Sequence, residues 1–333
     1  MSIRIVVLGT GRIGSMHAEY LARRVPGAEL AGVFDVTASA TVVGAELDCP
    51  VALTLQEALA IDADAVAVCT STDTHVDVLV AAAEAGRAIF CEKPVSLDLA
   101  EVDSALAAVE AAGVQLQVGF NRRFDPSHKA VADAVADGTI GDVHICNISS
   151  RDPGPPPIDY IKVSGGIFCD MTIHDFDMAR YVTRSEVESV YATGAVRIDP
   201  AIGAAGDVDT AVVVLHHQSG AITTIDNSRK TTYGYDQRVE AFGSGGMASS
   251  DNFHAFNARI ATEGGIRQPP LQHFFLQRYT TSYLDQWSAF VKAVVSGEPT
   301  PVTGADGRAP LVIGLAAWRS LREGRPVRCE EIG

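Results

Sequence analysis

Residues 9–14 read Gly-Thr-Gly-Arg-Ile-Gly, and their surroundings restrict the fold more than any other stretch of the chain. Before them, residues 3–9 (Ile-Arg-Ile-Val-Val-Leu-Gly) form a short apolar run suited to a buried parallel strand. After them a helical pattern runs to about Arg24, and a second strand is expected from Glu29 to Asp35. A strand, this glycine pattern, a helix and an acid closing the next strand make up the fingerprint of a dinucleotide-binding βαβ unit. Gly9 makes the tight turn, Gly11 lets the backbone approach a pyrophosphate, and Gly14 lets the helix pack on the strand. Together with Arg12 and Ile13 they surround a helix N-terminus, whose unpaired N–H groups favour phosphate. Asp35 is placed to accept from the adenosine ribose hydroxyls and to repel a 2′-phosphate. Neither Val36 nor Thr37 supplies a cation for that phosphate, so NAD is expected over NADP. Arg12 can reach the adenine side and soften that preference.

The βα rhythm continues with strands at 63–69, 88–91 and 115–119 and helices at 76–86 and 97–113. Ligands in such sheets bind beyond the carboxyl ends of the strands. That places Thr70, Ser71, Thr72 and His75, then Glu92 and Lys93, then Asn121 around the cofactor. For Ser71, Thr72 and His75, helix capping is an equal alternative. A lysine at the end of a parallel strand is unusual, and a cis Pro94 would aim Lys93 inward.

From about Asn121 the pattern changes. A helix ending near Gly138 precedes strand-like runs at 142–151, 187–198, 208–217, 220–228 and 236–243, joined by short turns. The expected architecture is an α/β Rossmann domain over residues 1–120 and an α+β domain over 121–333. The second domain has a large, mostly antiparallel open sheet. Helical stretches are expected at 170–183, 282–296 and 306–323, and the C-terminal helices can pack back on the first domain. Asp170 and His174 stand four residues apart after Gly165-Gly166. On one continuous helix they would share a face, a base beside its orienting acid. The run at 208–215 suggests a sheet buried on both faces, hence a homo-oligomer, dimer or tetramer, built through it.

The net charge of −15 and the lack of a basic stripe argue against nucleic acid and an anionic membrane surface. The start runs straight into a strand pattern, so no signal peptide is expected. Six scattered cysteines with no C-x-x-C read as core residues in a reducing cytoplasm. Carboxylates and one His on a single helix do not make a metal site, so no metal is expected.

These residues resemble the Gfo/Idh/MocA oxidoreductases over essentially the full length. The markers are the glycine motif, Glu92-Lys93-Pro94, residues 119–124 (Gly-Phe-Asn-Arg-Arg-Phe) and Asp170 through His174. Within that family the stretches 150–153, 170–181, 227–230 and 233–238 look most like inositol 2-dehydrogenases. The resemblance implies Lys93, Asp170 and His174 as catalytic residues, NAD as cofactor and commonly a tetramer. The expected substrate is a neutral ring polyol, myo- or scyllo-inositol. Arg122, Asp152 and Tyr233 are expected to contact its hydroxyls alongside Lys93, Asp170 and His174. A pyranose dehydrogenase with the same triad stays open, as does a non-catalytic NAD-binding regulator.

Overall fold

The computed structural model describes residues 2–333. The chain divides into two compact units, Met1–Asn121 with Tyr283–Ala309, and Arg122–Ser282 with Pro310–Gly333. Each is described by itself.

The first unit is built on six parallel strands. In chain order its elements are β1 (Ile3–Leu8), α1 (Arg12–Arg23), β2 (Ala28–Phe34), α2 (Ser39–Leu47), β3 (Val51–Ala52), α3 (Leu55–Ala60), β4 (Ala65–Val68), α4 (His75–Glu84), β5 (Ala88–Cys91), α5 (Leu99–Ala112) and β6 (Leu116–Val118). The strand order β3-β2-β1-β4-β5-β6 runs outward in both directions from β1 and β4. Their carboxyl ends therefore form a topological switch point, where such sheets bind ligands. The strands read as nearly unbroken apolar runs because helices cover both faces of a parallel sheet; β4 and β5 are buried at every residue. Two helices have readable ends. Asp98 caps α5 through the N–H groups of Ala100 and Glu101, and Gly113 closes it at φ 65°. The sequence reading lacked α2, β3 and α3. The 283–309 stretch brings Trp287 against Phe90, with ring centroids 4.4 Å apart, and its Val302 carbonyl accepts from the Val118 N–H at 3.0 Å.

The second unit contains α6 (Pro126–Ala136), β7 (Val143–Arg151), α7 (Ile158–Ile161), α8 (Gly166–Asp170), α9 (Ile173–Thr183), β8 (Val187–Ala195), α10 (Pro200–Ala204), β9 (Thr210–His217), β10 (Ile222–Ser228), β11 (Asp236–Gly243) and β12 (Gly246–Ser250). Beyond them come a small hairpin, β13 (Ile260–Thr262) and β14 (Gly265–Arg267), then α11 (Phe275–Arg278); α12 (Thr280–Ser296) lies mostly in the first unit, and α13 (Gly304–Glu323) begins there and ends in the second, before β15 (Val327–Arg328). The seven-stranded sheet has the order β12-β11-β7-β10-β9-β8-β15. It is antiparallel except where β10 lies parallel to β7, so the short-turn reading needs that one correction. The hairpin β9–β10 delivers β10 beside a strand made some seventy residues earlier, and its direction there is set by the meander.

One face of this sheet carries the core. Ile148, Val190, Val213, Leu215, Ile225 and Val239 pack against Val131 of α6, Phe168 of α8, Phe176 and Met178 of α9, and Ile313 of α13. The other face is open in the single chain, where Ile145, Tyr191, Val212, Phe242 and Met247 are 41–55% exposed. The expected burial of the 208–215 run on both faces therefore does not hold within one chain. No helix among the described residues is long and apolar enough to cross a membrane.

Candidate active site

The glycine loop of the first unit is shaped by its own packing at two positions and by open space at the third. Gly9 has φ 93°, and a Cβ there would meet the Cys69 carbonyl carbon and oxygen and the Thr70 nitrogen at 2.5 Å. A Cβ on Gly14 would overlap the Gly9 carbonyl oxygen. At Gly11 a Cβ would meet nothing within 4 Å, so this glycine leaves room in front of the helix rather than inside the fold. Gly11 is also the N-cap of α1, which begins without a side-chain cap and without an acid in its first turn. A pyrophosphate fits such an end, where N–H groups and the helix dipole both favour anions.

The Asp35 carboxylate is held from two sides. Oδ2 accepts from the Thr10 N–H (2.6 Å) and Oδ1 from the Thr37 N–H (2.8 Å). Burial pushes its pKa up, but those N–H bonds outweigh it and hold the carboxyl below its ordinary value. Each oxygen keeps lone-pair capacity for a ribose hydroxyl. Val36 is 91% exposed and brings no charge. The residues present therefore fit NAD.

The loops after β4 and β5 are tied together. Thr70 and Ser71 lie under Thr74, whose hydroxyl donates to Thr70 Oγ1 (2.9 Å) and to the Ser71 carbonyl (2.8 Å), and Thr72 opens a single 3₁₀ turn. His75 is buried, with Nδ1 2.9 Å from the Pro94 carbonyl and Nε2 3.0 Å from the Thr70 carbonyl. A neutral ring donates to only one of these carbonyls, and that bond braces the loops that line the expected cofactor course. The Lys93–Pro94 peptide is cis, as the sequence suggested. The Glu92 carboxylate also turns inward, with Oε1 2.9 Å from His17 Nε2 and Oε2 accepting the Lys93 N–H at 3.3 Å. Glu92 thus holds the start of the Lys93 turn. Asn121, at the end of this unit, is buried.

In the second unit the continuous helix expected over 170–183 is broken. Asp170 ends α8 and His174 is the second residue of α9. Between them the Thr172 N–H donates to Ile167 O (2.8 Å), five residues back, and the Thr172 hydroxyl reaches both that carbonyl (3.1 Å) and Asn227 Oδ1 (2.6 Å). The hydroxyl competes with the helix ladder and opens it. Met171 and Thr172 keep right-handed backbone angles, so the path stays helical while the ladder does not.

Asp170 is gripped from outside its own helix. Oδ1 accepts from the Tyr160 hydroxyl (3.0 Å), and Oδ2 faces the Arg229 guanidinium (3.2 Å). Arg229, 1% exposed, also faces Asp207 (3.2 Å). Asp207 in turn accepts from the Ile167 N–H (2.9 Å), at the start of α8. Gly166, at φ 71°, leaves room for this: a Cβ there would stand 2.8 Å from Asp207 Oδ1. One arginine thus fixes both ends of the short helix that carries Asp170. Neither Arg229 nor Asp207 stood out in the sequence as part of a site.

Arg122 is buried too, donating to Ser150 Oγ (2.9 Å) and Asp175 Oδ1 (2.6 Å). Asp175 is completed by Asn227 Nδ2 (2.8 Å). Asp152 lies among these charges, yet its carboxylate has no hydrogen-bonding partner among the described residues. Burial is the main cause of its raised pKa, about 7; Arg122 and Arg229 oppose the rise, and Asp170 and Asp175 add to it. Tyr233 belongs to a different group: its hydroxyl donates to Asp236 (2.8 Å) and accepts from Arg151 (3.0 Å), and it is 47% exposed. Burial pushes the Cys169 thiol up to about 12, which suits packing rather than nucleophilic chemistry. No cluster of three or more His, Cys, Asp or Glu among the described residues is arranged to hold a metal.

Residues 3–120 match the model of an oxidoreductase family with an NAD-binding Rossmann fold, and residues 128–249 match the Gfo/Idh/MocA C-terminal domain. The chain belongs to the Gfo/Idh/MocA oxidoreductase family. Among relatives of this family, it is 50% identical over 333 residues to a myo-inositol 2-dehydrogenase of Thermotoga maritima, covering 99% of both chains. It is 47% identical to an inositol 2-dehydrogenase of Rhizobium meliloti, covering 98% of this chain and 99% of the other. Among solved structures it resembles scyllo-inositol dehydrogenase from Lactobacillus casei with bound NAD(H) and scyllo-inositol. That likeness has a TM-score of 0.93 at 27% identity, over 99% of this chain and 100% of the other.

Proposed function

We propose that this protein is an NAD-dependent inositol 2-dehydrogenase, oxidising one secondary ring hydroxyl of myo- or scyllo-inositol to the ketone. The observation that carries the reading is the full-length likeness to inositol 2-dehydrogenases at 47–50% identity, in a chain that places Asp35 just after β2 and carries Lys93, Asp170 and His174. Gly9, Gly11, Arg12, Ile13, Gly14 and Asp35 hold the dinucleotide, with Val36, Thr70, Ser71, Thr72 and Asn121 along its course. NAD⁺ supplies a hydride acceptor.

His174 takes the proton of the reacting hydroxyl as general base. Lys93 donates a hydrogen bond to the same oxygen and stabilises its alkoxide character. The ring carbon then gives up its hydrogen with the bonding pair, and the C–O bond becomes C=O. Asp170 stabilises the imidazolium that His174 becomes. Asp152 accepts hydrogen bonds from neighbouring ring hydroxyls, and Arg122 holds the carboxylates around it in place. Tyr233, already spent on Arg151 and Asp236, is a weaker candidate for substrate contact.

The test is reduction of NAD and NADP over a panel of inositol isomers and pyranoses. Turnover of a pyranose with no inositol oxidised would replace the reading with a sugar dehydrogenase, and no turnover of any polyol would favour a regulator. The open sheet face supports a homo-oligomer, with a tetramer favoured; a monomer by light scattering would contradict it. Six cysteines standing as thiols suit a reducing compartment, the cytoplasm.

A further inference from the structure

One buried polar chain in the first unit is used by neither the dinucleotide loop nor the proton transfer. The Trp287 indole N–H lies 2.9 Å from His17 Nδ1, and His17 Nε2 lies 2.9 Å from Glu92 Oε1. His17 has no solvent exposure and is enclosed by the rings of Phe90, Tyr283 and Trp287, at centroid distances of 5.3, 5.6 and 5.5 Å. The bonds have only one consistent direction. Indole nitrogen donates and never accepts, so Nδ1 must be the acceptor and the ring proton sits on Nε2, pointing at Glu92. The second Glu92 oxygen accepts the Lys93 N–H (3.3 Å). On its remaining side the carboxylate presses against Gly119, where an added Cβ would come within 3.0–3.1 Å of it.

We propose that Trp287 and His17 are positioning residues for Lys93, acting through the Glu92 carboxylate. The proposal rests on the reading that Lys93 bonds the reacting oxygen. The indole fixes the imidazole tautomer, the imidazole fixes one carboxylate oxygen, and the other oxygen fixes the first peptide N–H of the lysine turn. Aromatic packing alone would need none of this direction. A small displacement of the lysine is costly because reacting groups must lie in near-attack geometry.

Five variants of the full-length enzyme and one spectrum test it. Long-range ¹⁵N–¹H spectra should show His17 protonated at Nε2 and bare at Nδ1; the opposite tautomer overturns the proposal. His17→Leu should lower kcat roughly ten- to a hundred-fold, with NAD binding in the binary complex unchanged. His17→Gln, which keeps a donor and an acceptor, should restore most of that loss. Trp287→Phe should lower kcat without changing NAD affinity, and it serves as the probe if His17→Leu does not fold. In a Lys93→Ala background, His17→Leu should cost nothing further, because its effect passes through the lysine. If Lys93→Ala itself turns over at the wild-type rate, the role given to Lys93 has failed. If Lys93→Ala is crippled but both relay variants are unimpaired, or the losses simply add, the relay alone is wrong.

Discussion

Asp152→Asn should stabilise the free enzyme, and more so the higher the pH. In the native protein burial and the neighbouring Asp170 and Asp175 charges lift this carboxyl from an ordinary 3.8 to about 7. Between those values the folded state binds a proton that the unfolded chain has lost, so stability falls as pH rises through the window. Each pKa unit corresponds to about 1.4 kcal/mol, so the full rise disfavours the charged form by about 4 kcal/mol. Roughly three-fifths of that falls between pH 5 and pH 8.5. Part of the Asp152 surface meets solvent, so roughly 1–3 kcal/mol is a fair expectation over that interval. Asparagine keeps the shape and does not titrate. Urea denaturation of wild type and variant at pH 5 and pH 8.5 measures the difference directly, and a carboxyl ¹³C titration checks the pKa itself. The variant's advantage should grow by that amount from pH 5 to pH 8.5, while its KM for inositol rises. An advantage equal at both pH values would show that Asp152 titrates like an exposed carboxyl, and the argument from its surroundings would fail.

His174→Ala should lower kcat roughly 10²–10⁴-fold, as for a lost general base, with NAD affinity unchanged; wild-type turnover across neutral pH would remove His174 from the mechanism. Asp35→Ser removes charge-assisted hydrogen bonds worth about 1.5–3 kcal/mol. The preference for NAD over NADP in kcat/KM should therefore drop roughly ten- to a hundred-fold, and an unchanged ratio would refute the ribose contact. Arg122→Met strands the buried Asp175 carboxylate and should cost about 3–5 kcal/mol in denaturant unfolding; a loss under 1 kcal/mol would mean that the pair is solvated.

What could be read from the chain was local. The glycine loop, Asp35 and the strands on either side lie within thirty-odd residues, and period and turn chemistry suffice to place them. The helix α2 escaped because Ser39–Leu47 is a run of small and β-branched residues with little amphipathic contrast, and β3 is only two residues long. The parallel β7–β10 contact joins strands far apart in sequence, which no short-range pattern encodes. Likewise His17 and Trp287 stand 270 residues apart, and Arg229 meets Asp170 across 59. The spacing of Asp170 and His174 was visible, but the break between them depends on Thr172 finding Asn227 on β10. His75 was legible as a loop histidine near a ligand crevice, but its neighbour, the Pro94 carbonyl from the next βα loop, was not.

The distribution of charge in the second unit says something about the substrate that the names of relatives do not. Asp152, Asp170, Asp175 and Asp207 share two guanidiniums, those of Arg122 and Arg229. Arg122 is committed to Asp175, and Arg229 is divided between Asp170 and Asp207. The fourth carboxyl, Asp152, makes no hydrogen bond to either arginine, and with its pKa at about 7 it gains its charge only as pH passes neutrality. An anionic ligand would add repulsion where four carboxyls already share two guanidiniums. A neutral ligand rich in hydroxyl groups supplies the missing donors without bringing charge of its own, and a carboxylate accepts such hydrogen bonds more strongly than a neutral acceptor would. The cluster is therefore incomplete in the way that a polyol completes, and inositol phosphates should be poor substrates compared with the free ring.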